Sequence, residues 1–347
     1  MKLALTRTDK ALLTLLRSGL WNRPPDTTEL FPLSSEEWKE VFEKSRNHTV
    51  TAIVADSLEY LPENQLPPDE ILAGWAVESD RIERLGGMMA NVTAGLSEIY
   101  KTLRPVCFKG LECASLYSRP SSRQCGDIDL YFDDIEASAA LARQHGYVPE
   151  HKPDGSFTYS VQGIVVEHHP SYIDLCAPRK RKWLKTLDEN PGFEAGSCGM
   201  LRPVPALNLL LLHSHVMKHA FGRGVGLRQM CDLARACYSY DGMYEPEDLR
   251  RMYRKAGLAT WTRMIHAFLT DYLGLGKEFL PYTEPHADAS EFLERVLLAG
   301  NFGRSIPGSG QGKVWTLKAF MANALFAARY APDEYFWQIV QLAGGQL

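Results

Sequence analysis

Apolar residues recur at helical spacing over most of this chain and alternate at strand spacing only near its middle. In the first hundred residues, Thr8 reads as the cap of a helix running through Leu16 and beyond. Ser34 and Glu37 form a capping-box pattern before Trp38, Val41 and Phe42. A further amphipathic run covers His48 to Tyr60, and Pro67-Pro68 opens a longer one through Ile71, Trp75, Ile82, Met89, Leu96 and Leu103. Gly86-Gly87 predicts a break or kink within it. The pattern changes at Pro105. Val106-Cys107-Phe108 reads as a short strand, followed by a two-turn helix with Leu111, Ala114, Ser115 and Leu116 inward, then a polar loop over Ser118–Gly126. Ile128–Phe132 reads as a strand, Ile135–His145 as a helix and Gly146-Tyr147-Val148 as the start of another strand. Phe157–Val161 and Ile164–His169 form a hairpin joined at Gln162-Gly163. From Pro203 onward the helical period returns in Ala206–Phe221, Leu227–Tyr240, Glu247–Ala256, Trp261–Leu273, Ala289–Leu298 and Trp315–Tyr330.

These patterns predict an α+β fold: a small mixed-sheet core over 79–190, between helical regions at 1–78 and 191–347. The convincing mixed part is narrower, about 105–175. The net charge of −4 argues against a uniformly basic nucleic-acid face, so RNA stays open only as one class of partner among others. The seven cysteines contain no CxxC pair, which sets aside a zinc ribbon and a disulfide framework and suits reduced thiols. Arg7, Asp9 and Lys10 interrupt the apolar N-terminus, so it does not read as a secretory signal. No apolar stretch is long enough to span a bilayer. The expectation is a cytoplasmic protein without a membrane partner.

The chemistry concentrates in the central segment. Alternate strand residues share a face, so Asp127 and Asp129 point one way while Ile128 and Leu130 point into the core. Two carboxylates about 6–7 Å apart along a strand repel unless a cation joins them. Glu167 is a third acid, set in the otherwise apolar Ile164-Val165-Val166 strand and sharing a face with Val165 and His169. If the two strands are neighbours, three carboxylates converge, a donor set suited to Mg²⁺ or Mn²⁺ and able to hold two ions about 4 Å apart. Glu167 would also be placed to take the acceptor's proton. Upstream, Lys109-Gly110 ends a strand and opens a helix, where backbone N–H groups and an ammonium can meet an anion. Arg123, four residues before Asp127, is a second phosphate candidate.

Later features are less specific. His215 and His219 share a helix face with Lys218 between them, but the Glu of a His-Glu-x-x-His zinc motif is absent. They read as lining a nucleotide or acceptor cleft, or as histidines satisfied within the helical region. Arg228 opens a helix four residues before Asp232, either as an intrahelical pair or as a phosphate ligand. The basic run Arg179–Lys185 reads as solvated surface or as a hold for an acidic acceptor. Gly308–Lys313 fails as a P-loop, since Pro307 stands where the first Gly belongs and Val314 replaces Ser/Thr; it reads as a flexible connection.

Taken together, Lys109-Gly110, the Arg-bearing loop, Gly126-Asp127-Ile128-Asp129-Leu130, Val166-Glu167-His168-His169 and the later His215-x-x-Lys218-His219 and Gly226-Leu227-Arg228-Gln229 stretches resemble the polymerase-β-like nucleotidyltransferase superfamily. Within it, the chain is similar to a family of uncharacterised nucleotidyltransferases common in bacteria, over most of 80–240. The resemblance implies Asp127, Asp129 and Glu167 as catalytic, metal-binding acids. It implies Lys109, Gly110, Arg123, Gly126, His215, Lys218, His219 and Arg228 as the nucleotide- and phosphate-binding set. It implies transfer of a nucleoside monophosphate from an NTP to an acceptor, with release of pyrophosphate; the acceptor, whether small molecule, peptide, protein or RNA, is left open. A nucleotide-sugar donor, or a catalytically silent binding or scaffolding protein, are the alternatives. The superfamily's Gly-Ser or Gly-Gly turn is Gly110-Leu111 here, so phosphate binding would rest on the backbone and Lys109.

Overall fold

The computed structural model describes residues 5–188, 192–282, 285, 287–305 and 313–344. Four helices come first: α1 (Arg7–Trp21), α2 (Ser35–Asn47), α3 (Thr51–Asp56) and α4 (Asp69–Tyr100). The central part follows as β1 (Val106–Phe108), α5 (Gly110–Ala114), β2 (Ile128–Tyr131), α6 (Ile135–Gln144), β3 (Glu150–His151), β4 (Phe157–Val161), β5 (Ile164–His169), α7 (Pro178–Asp188), β6 (Phe193–Ala195) and β7 (Leu201–Pro203). The chain closes with α8 (Pro205–Phe221), α9 (Leu227–Ser239), α10 (Pro246–Ala256), α11 (Ala259–Leu273), α12 (Ser290–Ala299), α13 (Lys313–Ala322), α14 (Ala324–Tyr330) and α15 (Pro332–Ala343). The fold is α+β, as the periodicity predicts. No helix among the described residues is long and apolar enough to cross a membrane.

The seven strands form one sheet in the order β3-β4-β5-β2-β1-β7-β6. The β2–β5 and β1–β7 pairs are parallel and the rest antiparallel. Alternation gives the sheet two different faces. Cys107, Ile128, Leu130, Phe157, Tyr159, Ile164 and Val166 pack with Met89, Val92, Leu96 and Tyr100 of α4 and with Ala139 and Ala142 of α6. Val106, Phe108 and Tyr131 point the other way, into a core shared with the N-terminal helices and with α8, α9 and α11. The Gln162-Gly163 hairpin forms as expected, with φ of 52° and 81° at its two central residues, a turn that glycine eases.

Local chemistry moves several expected boundaries. Thr6, not Thr8, caps α1, because Thr6 and Asp9 satisfy each other's backbone N–H groups while Thr8 is buried and donates to Glu40. Helix α4 runs unbroken through Gly86-Gly87, held by buried Ile82 and Met89 on either side. Helix α5 is shorter than two turns and buries Cys113 and Ala114, leaving Ser115 exposed and Leu111 only half-buried. Gly146, at φ 81°, stops the chain after α6, so the next strand begins at Glu150. The helix expected over Trp315–Tyr330 is split at Asn323, whose amide donates to the Phe221 and Gly222 carbonyls. Strands β6 and β7 lie past residue 190, so the sheet extends beyond the core boundary expected there. The glycine-rich connection at 306–312 lies outside the described residues.

Candidate active site

The parallel register of β2 and β5 builds the acidic centre. Asp129 lies directly opposite Glu167, and Phe108 of β1 lies opposite Asp129 on the other side. The two acidic strands are therefore neighbours, and the acids leave the sheet on the face away from α4. One ligand atom each from Asp129, Glu167 and His169 lies within 4.8 Å of the others. His169 thus joins the acids, on the strand face it shares with Glu167; its Nε2 is 2.7 Å from Asp129 Oδ1. Lys152 reaches Glu167 at 2.7 Å, and the Ser156 hydroxyl donates to the same oxygen at 3.3 Å.

The two acids of the Asp-x-Asp pair are driven apart in acidity. The charge on Asp129, followed by burial, pushes Asp127 up to about 6, against the pull of Lys109 and Arg228. Burial also works against ionisation of Asp129. The Lys109 ammonium and the hydrogen bond and charge of His169 outweigh it and hold that carboxyl well below the usual range. Lys109 Nζ lies 3.8 Å from Asp129 Oδ1 and 4.8 Å from the centre of the Phe108 ring. The turn itself is strained: Lys109 has φ 59° and Gly110 φ 30°. A side chain at Gly110 would bring its Cβ to 3.2 Å from the Asp127 carbonyl oxygen. The glycine is what lets the turn approach the acidic strand.

Lys109, Gly110, Asp127, Asp129, Glu167 and His169 line a cavity of about 420 Å³ between the sheet and α8 and α9, with Gly126 and His219 also on its wall. Asp174, which the sequence pattern did not single out, bridges two cavity residues: it accepts from Lys218 Nζ at 2.8 Å and sits 2.9 Å from His215 Nδ1. Burial, then the Lys109 charge, lowers His215 to about 4, and burial likewise lowers His219. Asp174 holds Lys218 charged. His215 and His219 thus lie on the cavity wall, and His215 is at the same time satisfied by Asp174.

The two arginines fare differently. Arg123 is nearly inaccessible and spends its guanidinium on Asp232, at 3.1 Å from Nε and 2.6 Å from Nη2; Tyr117 donates to the same carboxylate at 2.7 Å. It ties the 118–126 loop to α9 from a place on the cavity wall. Because Asp232 is taken, the intrahelical Arg228–Asp232 hydrogen bond does not form. Arg228 donates to the Gln124 carbonyl at 2.8 Å, and its Nε is buried without a partner. Burial and the Arg123 charge lower its pKa, the state of a cation short of counter-charge. The basic run lies on α7, away from these groups, where Lys180 pairs with Asp333 and Glu334.

Thr49, Asn301, Phe302 and Arg304 also line the cavity, from segments far in sequence with no motif to mark them. Phe302 is 41% exposed and meets the His219 ring edge-on at 4.7 Å. Carboxylates on two adjacent parallel strands thus face lysines and a buried arginine across one small cavity.

Residues 34–274 match the family described as uncharacterised nucleotidyltransferase, and the chain belongs to that family. Neither the curated proteins nor the solved structures gave a match.

Proposed function

We propose that this chain transfers a nucleoside monophosphate from an NTP to an acceptor nucleophile and releases pyrophosphate. The observation that carries the reading is the β2–β5 register, which sets Asp129 beside Glu167 while like-charge repulsion loads Asp127. The donor set is all carboxylate and imidazole, a fit for Mg²⁺ or Mn²⁺ rather than for a thiophilic metal. Asp127, Asp129 and Glu167 would hold the metal, with His169 fixing Asp129 or completing the set. A divalent cation there supplies charge neutralisation for the transferring phosphoryl group.

The remaining roles follow from position. Lys109 and the Gly110 turn face the donor phosphates from the sheet side, and Lys218, held by Asp174, faces them from α8. Arg228 offers its unpartnered Nε from α9. The acceptor oxygen or nitrogen attacks the α-phosphorus, its proton passes to the Glu167 carboxylate, and the bond from α-phosphorus to the bridging oxygen breaks to release pyrophosphate. Phe302 supplies a face at the cavity mouth on which a nucleobase can stack.

The test uses NTPs labelled at the α- or γ-phosphate, with Mg²⁺ or Mn²⁺ and size-fractionated acceptor mixtures. The reading expects α-label in an acceptor product and γ-label in pyrophosphate, both lost in Asp127→Ala plus Asp129→Ala. Label moving from a nucleotide sugar but from no NTP would transfer the reading to that donor. Metal-dependent NTP binding without turnover of any donor would make the chain a silent binder.

A further inference from the structure

Among the described residues a second cluster of metal-capable side chains lies apart from the acids: Cys107, Glu112 and Cys198, one ligand atom of each within 4.8 Å of the others. Cys107 belongs to the β1 face that packs on α4, so the cluster sits behind the sheet, opposite the cavity. Cys107 stands two residues before Lys109 and Glu112 two residues after Gly110, so the pair brackets the strained turn. Cys198 comes from the hairpin turn between β6 and β7, whose close approach to Glu112 depends on Gly196; a Cβ there would lie 2.7 Å from Glu112 Oε1.

Glu112 is the informative member. It is 3% exposed. Its Oε1 accepts from Ser197 N at 3.0 Å, Ser197 Oγ at 3.1 Å, Cys198 N at 3.3 Å and Cys198 Sγ at 3.0 Å. Tethering the hairpin needs only that oxygen. Its Oε2 is buried with no hydrogen-bond partner, and its ion-pair contact is Arg202 at 3.9 Å. A buried carboxylate oxygen without a hydrogen bond is costly, and a second ligand is the usual remedy.

We propose that Cys107, Cys198 and Glu112 bind one Zn²⁺, which staples β1, α5 and the β6–β7 turn together behind the phosphate-facing turn. Two thiols and a carboxylate form a borderline-soft set that selects zinc over magnesium, in contrast to the thiol-free, mainly carboxylate set on the other face. Binding releases the two thiol protons to solvent. Zinc, two thiolates and one carboxylate leave a net charge of −1, beside the Arg202 guanidinium. Cys198 is only partly buried, which provides an entry path, and the fourth position is left to water. The Glu112 hydrogen bonds from Ser197 supply outer-shell support.

The test titrates the reduced, chelator-treated full chain with Co²⁺ as a spectroscopic stand-in and then with Zn²⁺. The expected result is a thiolate-to-cobalt charge-transfer band saturating at one equivalent and abolished by Zn²⁺. The band should survive in Asp129→Asn and disappear in Cys198→Ser, whose substitution at a partly exposed turn leaves the core intact. Zn²⁺ should also raise the melting temperature of the wild type and not that of Cys198→Ser. No cobalt–thiolate band in the reduced wild type, or a band unchanged in Cys198→Ser, overturns the assignment. So does a Cys107–Cys198 disulfide that forms in air while the reduced protein takes up no metal. The band requires no nucleotide, so its absence leaves the transfer reading standing and the transfer assay does not bear on it.

Discussion

At the scale of single residues, the site is a set of charges that constrain one another. Asp129 ionises because Lys109 and His169 outweigh its burial, and it then raises Asp127. Removing His169 takes away both the hydrogen bond to Asp129 and one candidate ligand. His169→Ala should therefore weaken Mn²⁺ binding by about 10–100-fold in a paramagnetic titration; unchanged affinity would remove His169 from the site. Asp232 is a different case, since it serves structure. Its carboxylate and Arg123 are each only 4% exposed, and Asp232→Ala strands a buried guanidinium. The expected loss is about 3–5 kcal/mol of unfolding free energy in urea, and a loss under about 1 kcal/mol would mean that the loop relaxes to solvate Arg123. Residue identity made Asp127, Asp129 and Glu167 legible, because acids at strand spacing among apolar neighbours are hard to explain as core. It did not reveal Asp174, whose role exists only because its segment passes α8, nor that Arg123 would be consumed by Asp232. Both depend on pairings between elements 41 and 109 residues apart.

At the scale of elements, the strand–turn–helix around Lys109-Gly110 decides how near the backbone comes to the acids. Gly110→Ala adds a Cβ at 3.2 Å from the Asp127 carbonyl in a backbone conformation that L-residues avoid. Its cost is about 1–3 kcal/mol, expected as weaker Mg-NTP binding in calorimetry together with a lower melting temperature. A fully retained affinity would show that the turn does not touch the donor. Phe302, next to the 306–312 segment, is the corresponding element on the helical side. Losing a stacking face costs about 1–3 kcal/mol, so Phe302→Ala should lower NTP affinity by about 5- to 150-fold and leave tripolyphosphate affinity unchanged. Equal loss for both ligands would contradict a role at the base. The elements themselves were legible where the period was long or the turn chemistry strong, as in α2, α4, α8 and the β4–β5 hairpin. β6 and β7 were not legible: unlike the wholly apolar Val106–Phe108, Phe193–Ala195 and Leu201–Pro203 carry polar residues too few to show alternation, and they form because β7 pairs with β1 and β6 with β7. Helix α15 was likewise missed, although its Glu334 accepts from the Cys176 and Ala177 backbone N–H groups at the start of α7.

At the scale of the molecule, the two helical regions share one apolar core over the cavity side of the sheet, and α4 and α6 close the other side. The acids thus stand on a sheet packed on both faces, which fixes their spacing before any ligand arrives. The same burial sets the pH response. Burial lowers His48 and His266 to about 4 and His168 to about 3, and likewise holds His213 well below the ordinary value of 6.5. As pH falls below about 6.5 the unfolded chain takes up protons that the folded chain refuses, so stability falls from there toward pH 4, by up to about 1.4 kcal/mol per pH unit for each histidine. The raised carboxyls of Asp127 and Asp56 oppose this but are fewer. The urea midpoint should be clearly lower at pH 5 than at pH 7.5, and an unchanged midpoint would mean that these histidines are not buried neutral. In the proposed reaction Asp129, with its strand neighbours, would bind the metal that binds the nucleotide. The most direct test of this role is calorimetric titration of the intact chain and of Asp129→Asn with each NTP, in Mg²⁺ and in chelator. The expected result is binding of at least one NTP that requires the metal and is absent in the variant; no metal-dependent binding in the intact chain, or equal binding in Asp129→Asn, would take Asp129 out of that role.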